Sequence, residues 1–86
     1  MPQISRFFGI IIYMYFNDHH PAHFHAVYGE YEAVYIIDTL EILRGNLPRR
    51  AHGMVMEWAS LYRYELKQNW DRAQLMEPLE PIKPLD

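Results

Sequence analysis

Cysteine is absent from this chain, which removes two architectures at once: a disulfide-stapled scaffold and any thiolate-based zinc finger. Excess positive charge is absent too. The formal charge is −3 and the sequence pI is ≈ 5.9, so no global basic field draws in nucleic acid. A local patch remains open through Arg6, Arg44, Arg49 and Arg50, while carboxylates crowd the far end. Nor is there an apolar run of the ~20 residues that cross a bilayer. The run from Phe7 to Phe16 follows Arg6 in the manner of a secretory signal, but it contains Tyr13 and Tyr15 and no small-residue cleavage site follows it. The chain therefore reads as cytoplasmic, with no membrane partner.

Apolar residues are not lacking. Half of the 86 residues are hydrophobic, with seven Tyr, four Phe and two Trp, which suffices for a core and is too rich for disorder. One domain with one core is expected at this length. A chain this small without staples gains from a second surface, so a homo-oligomer or a protein partner is expected.

Gly9 to Phe16 alternates as a strand, with Ile10, Ile12, Met14 and Phe16 on the core side and Ile11, Tyr13 and Tyr15 on the wetter side. Asn17 to Ala22 reads as a loop. Phe24 to Tyr28 and Tyr31 to Ile37 flank the hairpin signal Gly29-Glu30, and Glu41 to Arg44 suggests a short further strand. Asn46 and Pro48 then suit a helix start, followed at helical spacing by Ala51, Met54, Val55, Trp58 and Tyr62, and by Leu66, Trp70 and Ala73. An unbroken helix from Pro48 to Met76 would be roughly 42 Å long, so a break is expected near Tyr62 to Tyr64. The predicted fold is α+β: an antiparallel three- to four-stranded meander, then two helices packed on one sheet face. Its domain spans residues 1–76.

Residues 77–86 are a Pro-rich extended tail. Pro78, Pro81 and Pro84 recur every third residue, as do Leu79, Ile82 and Leu85, which at three residues per turn makes a proline stripe and an aliphatic stripe. The plainest reading is a solvated tail. The alternative is that the aliphatic stripe docks on a partner or on its own domain.

Chemistry concentrates at Asp18-His19-His20-Pro21-Ala22-His23-Phe24-His25, which holds four of the five histidines. Imidazole titrates near neutrality and is the commonest metal ligand. Alternation puts His23 and His25 side by side on one strand face, with Asp18 and His19 just upstream. Asp18, His19, His23 and His25 thus form a candidate site for a divalent transition metal (Zn, Mn, Fe or Ni), with solvent in the open positions. Without a metal, His23 and His25 could serve as general base and acid on a phosphodiester, with Arg49, Arg50 or Arg6 stabilising the developing charge. The structural alternative is a turn set by Pro21 and Phe24, with each imidazole bonded to backbone. His52 reads as exposed or capping. Trp58 and Trp70 read as core or interface anchors.

Several stretches are shared with a known family. Met-Pro-x-Ile-Ser-Arg-Phe, Met14-Tyr15-Phe16-Asn17-Asp18-His19, Pro21-Ala22-His23-Phe24-His25-Ala26, Tyr28-Gly29-x-Tyr31-x-Ala33, Leu47-Pro48-Arg49-Arg50-Ala51, Glu57-Trp58-Ala59 and Asn69-Trp70 resemble a short bacterial family numbered 4160 among the domains of unknown function. The resemblance runs to Pro81. It implies a toxin-like subunit of a type II toxin–antitoxin module of the DhiT type, neutralised by a small cognate antitoxin-like protein, and carries no catalytic assignment. Asp18, His19, His23 and His25 lie in the family-like stretch. His20 and His52 lie where the family pattern is loose, and Pro21-Ala22 stands where Pro-Pro is expected.

The leading expectation is a toxin-like α+β protein, a ribonuclease or metal-dependent hydrolase, acting on RNA or another phosphate-containing target. The rivals are a non-catalytic interaction module and a metal-binding protein without phosphate chemistry.

Overall fold

Alternating apolar residues pair into five strands before the helical spacing begins. The computed structural model describes residues 2–86; Met1, which opens the expected domain and the family-like N-terminal motif, lies outside the described residues. The strands are β1 (Gln3–Phe7), β2 (Ile10–Tyr13), β3 (His23–Tyr28), β4 (Tyr31–Ile36) and β5 (Ile42–Gly45), followed by α1 (Arg49–Leu61) and α2 (Arg63–Gln74). They form one antiparallel sheet in sequence order.

The α+β class stands, but the expected count of three to four strands is corrected to five. The added strand, Gln3–Phe7, precedes the expected one from Gly9 to Phe16. Phe8 and Gly9 both adopt left-handed backbone, at φ 48° and 80°, and Phe7 pairs with Ile10 across them. Two consecutive positive φ values make the tight turn whose twist suits a hairpin. A bulky Phe at its first position gives no turn signal in sequence, so Gln3–Phe7 gained no partner there. The second strand also ends at Tyr13 rather than Phe16, which is exposed.

One sheet face carries Ile10, Ile12, Phe24, Ala26, Ala33 and Tyr35, all fully buried. The helices cover it with Ala51, Val55, Trp58, Ala59, Leu66, Trp70 and Ala73. Trp58 anchors the contact, its ring 5.3 Å from that of Phe7 and 5.8 Å from that of Phe24. The helix break falls at Tyr62, where φ −118° and ψ 27° leave helical geometry. The cap of α1 is Pro48 and not Asn46, and it makes no side-chain cap bond.

The tail does not hang free: one side of it is fastened to the domain while Pro78, Pro81 and Pro84 stay exposed. Glu80 N–H donates to Asn69 Oδ1 and Asn69 Nδ2 donates to Glu80 O, each at 2.9 Å. Ile82 N–H donates to Ile4 O at 2.7 Å, and Trp58 Nε1 donates to Lys83 O at 2.9 Å. Ile82 is buried in the core, with Leu79 and Leu85 packed against it. The aliphatic stripe thus docks on its own domain, beside edge strand β1. The two buried polar side chains beneath it, Trp58 and Asn69, find partners only there.

Candidate metal centre

Pleating sends His23, His25 and Val27 to the sheet face opposite Phe24 and Ala26, as alternation along β3 requires. His25 lies directly opposite Tyr13 on β2 and Val34 on β4. The loop from Asn17 to Ala22 then folds back over the start of β3. It is fastened to the end of α2 by Asn17 N–H to Ala73 O at 3.1 Å and by Gln74 Nε2 to Asp18 O at 3.1 Å. The His20–Pro21 peptide bond in this loop is cis.

These constraints bring Asp18, His23 and His25 together, with one ligand atom from each within 4.8 Å of the others. Asp18 Oδ2 stands 2.9 Å from His23 Nε2 and 3.9 Å from His25 Nε2. Both imidazoles are buried, each 5% exposed. His25 joins one aromatic cluster, stacked on Tyr13 at 5.2 Å and perpendicular to Tyr15 at 4.7 Å, with the two tyrosine rings 5.5 Å apart. His23 leans on Trp70 at 5.1 Å.

The outer nitrogens fix which lone pairs point inward. His25 Nδ1 faces Glu32 Oε2 at 3.0 Å, and beside a carboxylate that nitrogen must carry the proton. In the neutral ring Nε2 is then a bare acceptor, and it is buried with no hydrogen-bond partner. Left so, it costs about 1–3 kcal/mol. His23 Nδ1 likewise donates to Pro21 O at 2.7 Å, which turns Nε2 toward the Asp18 carboxylate. Two acceptors facing each other at that distance need a proton or a cation. Tetrahedral ligands at about 2.05 Å from one ion are about 3.3 Å apart, a spacing between the 2.9 and 3.9 Å that separate Asp18 Oδ2 from His23 Nε2 and His25 Nε2.

With a proton between them, Asp18 and His23 form an ion pair. Burial pushes the Asp18 carboxyl up, but the His19 amide, the hydrogen bond and charge of His23, and His25 outweigh it, so Asp18 is held below its ordinary value of 3.8. Burial, then Tyr15 and Glu32, push the Tyr13 phenol well up, and it donates to Glu32 Oε2 at 3.0 Å. Glu32 thereby orients His25 in the manner of carboxylates behind metal-bound histidines.

Of the four metal candidates read from sequence, three converge and His19 does not: it is exposed and gives Asp18 its backbone amide at 2.8 Å, not its ring. The structural alternative, every imidazole bonded to backbone, holds only for His23 Nδ1. Arg49 and Arg50 are exposed at the start of α1 and are not brought to the histidines. Arg50 lines a separate hollow with Phe8, Tyr28, Pro48, Ala51 and Met54. Arg6 is exposed on β1 and pairs with Ile11. His52 is not a cap; its Nδ1 meets the Tyr35 hydroxyl at 2.8 Å. Sequence reasoning missed Glu32 and Tyr13. The signal for Glu32 was there, because pairing across Gly29-Glu30 sets it opposite Val27, on the face of His25.

No helix is long and apolar enough to cross a membrane, among the described residues. The sequence profile of one protein family, described as Domain of unknown function (DUF4160), matches residues 9–71, well over half of the chain and all of the site. No curated protein and no solved structure matches.

Proposed function

The chain belongs to the DUF4160 family, and from its site we propose that it is a divalent-metal-dependent hydrolase acting on RNA or another phosphate-containing target. Its setting is that of a cytoplasmic, toxin-like subunit held in check by a small antitoxin-like protein, as the family resemblance implies. The observation that carries the hydrolytic reading is the orphaned His25 Nε2, buried and aimed at Asp18 and His23.

Asp18, His23 and His25 would hold the ion, and two histidines with one carboxylate leave positions open to water and substrate. A bound ion at such a site lowers the pKa of its water toward neutrality and polarises a phosphoryl oxygen. Glu32 keeps His25 in the ligating tautomer, and Tyr13 keeps Glu32 in place. Trp70, Tyr13 and Tyr15 wall the imidazoles from bulk water.

The rival interaction module would bind a partner through the open sheet face and the proline tail together. The tail's aliphatic stripe is occupied by the chain's own core, which weighs against that reading.

Expression in bacteria with an RNA readout tests the proposal. The parent chain should slow growth and cleave RNA in a chelator-sensitive way, and His25→Ala should do neither. Equal toxicity and cleavage in the variant would refute the assignment.

A further inference from the structure

Tyr13, His25, Val34 and Arg44 lie directly opposite one another across β2, β3, β4 and β5, forming a transverse row on the uncovered sheet face. Strands are about 4.8 Å apart, so Arg44 starts about 10 Å from His25, with only the short Val34 between them. The result is a hollow of about 410 Å³ lined by Tyr15, His25, Glu32, Val34, Arg44 and Gly45.

The presence of Arg44 in that row depends on an irregularity in β5. Val34 pairs with Arg44 but Tyr35 pairs with Ile42, so Leu43 is an extra residue. In an unbroken register Leu43 would stand opposite Val34, and Arg44 would turn toward the helices. Bulges of this kind re-aim side chains beside functional sites. The next residue secures the turn. Gly45 has φ 76°, and a Cβ there would meet the Glu32 carbonyl oxygen at 2.2 Å, so only glycine lets β5 close on β4 through the Asn46 N–H bond to Glu32 O. Among the described residues Arg44 makes no ion pair. The carboxylate in the hollow, Glu32, is already shared by His25 and Tyr13.

Resting on the metal-centre reading above, we propose that Arg44 and this hollow form a phosphate subsite that shares His25, alone of the three ligands, with the ion. A tetrahedral phosphate group has oxygens enough to approach the ion on one side and take the planar guanidinium fork on the other. A carboxylate has only two. Arg44, and not Arg49 or Arg50, is therefore the arginine that positions the phosphoryl group.

Calorimetric titration of inorganic phosphate, acetate and a short RNA oligonucleotide into the metal-loaded chain tests this. Phosphate should bind, with Arg44→Ala weakening it about tenfold or more, Arg44→Lys retaining part of the affinity, and Lys67→Ala, on the exposed face of α2, changing nothing. If the oligonucleotide shows the same Arg44 dependence, the subsite serves a phosphodiester; if only free phosphate does, it serves the small anion. Phosphate affinity that is equal in the parent and Arg44→Ala, or acetate binding with the same Arg44 dependence, overturns the subsite while leaving the metal centre standing. Failure of the parent chain to take up metal overturns both.

Discussion

His25 is held at one ring nitrogen and stacked on one face against Tyr13, while its other nitrogen is buried without a partner. Glu32 does the constraining at Nδ1, so its charge should matter more than its shape. Glu32→Gln keeps a hydrogen-bond acceptor but removes the carboxylate, and metal affinity should fall about 10–100-fold, as for other carboxylates behind metal-bound histidines. Competition with a chromophoric chelator measures this, and unchanged affinity would rule out an orienting role. Tyr35 offers a residue-level test away from the site. Burial pushes its phenol up to about 12 from 10.0. The folded state therefore holds that proton where the unfolded chain releases it, so the stabilisation is complete below pH 10 and is lost as pH rises toward 12. Denaturant unfolding across that range should show the decline, and Tyr35→Phe should make it shallower, leaving the part that the raised Tyr13 phenol contributes.

Elements differ in how far their sequence announced them. The helices were legible from apolar spacing, and the break at Tyr62 followed from length alone. The hairpin of β3 and β4 was legible from Gly29-Glu30. The hairpin of β1 and β2 was not, because Phe8 adopts a left-handed turn conformation that its side chain disfavours. The tail's stripes could be seen, but their destination depended on Trp58, Asn69 and Ile4 from three distant elements. That docking predicts a measurable cost. Ile82→Ala should lower unfolding free energy by about 2–5 kcal/mol, as for other large buried aliphatics. A variant as stable as the parent in urea would place the tail off the core.

At the scale of the whole molecule, the division of labour is between the two sheet faces. One is sealed by α1, α2 and the tail. The other carries Tyr13, His25, Val34 and Arg44 in a row, with Asp18 and His23 at one side. The histidines and Asp18 were legible because they lie close in sequence, within a loop and the strand it feeds. Glu32 and Arg44 were not singled out, because sheet register and a bulge bring them in, and neither has a local motif. Arg49 and Arg50 suggested an anion site by their place at a helix start, yet the fold puts α1's first turn beside Phe8 and Tyr28.

Convergence of Asp18, His23 and His25 on one ion is the claim from which the rest follows. Metal content of untagged protein, measured by mass spectrometry after equilibration with zinc or manganese and removal of free ion, tests it most directly. The account predicts one equivalent in the parent and in His19→Ala, and loss of that equivalent in Asp18→Ala, His23→Ala and His25→Ala, with circular dichroism confirming that each variant is folded. Folded parent protein without metal, or His25→Ala retaining it in full, would contradict the account.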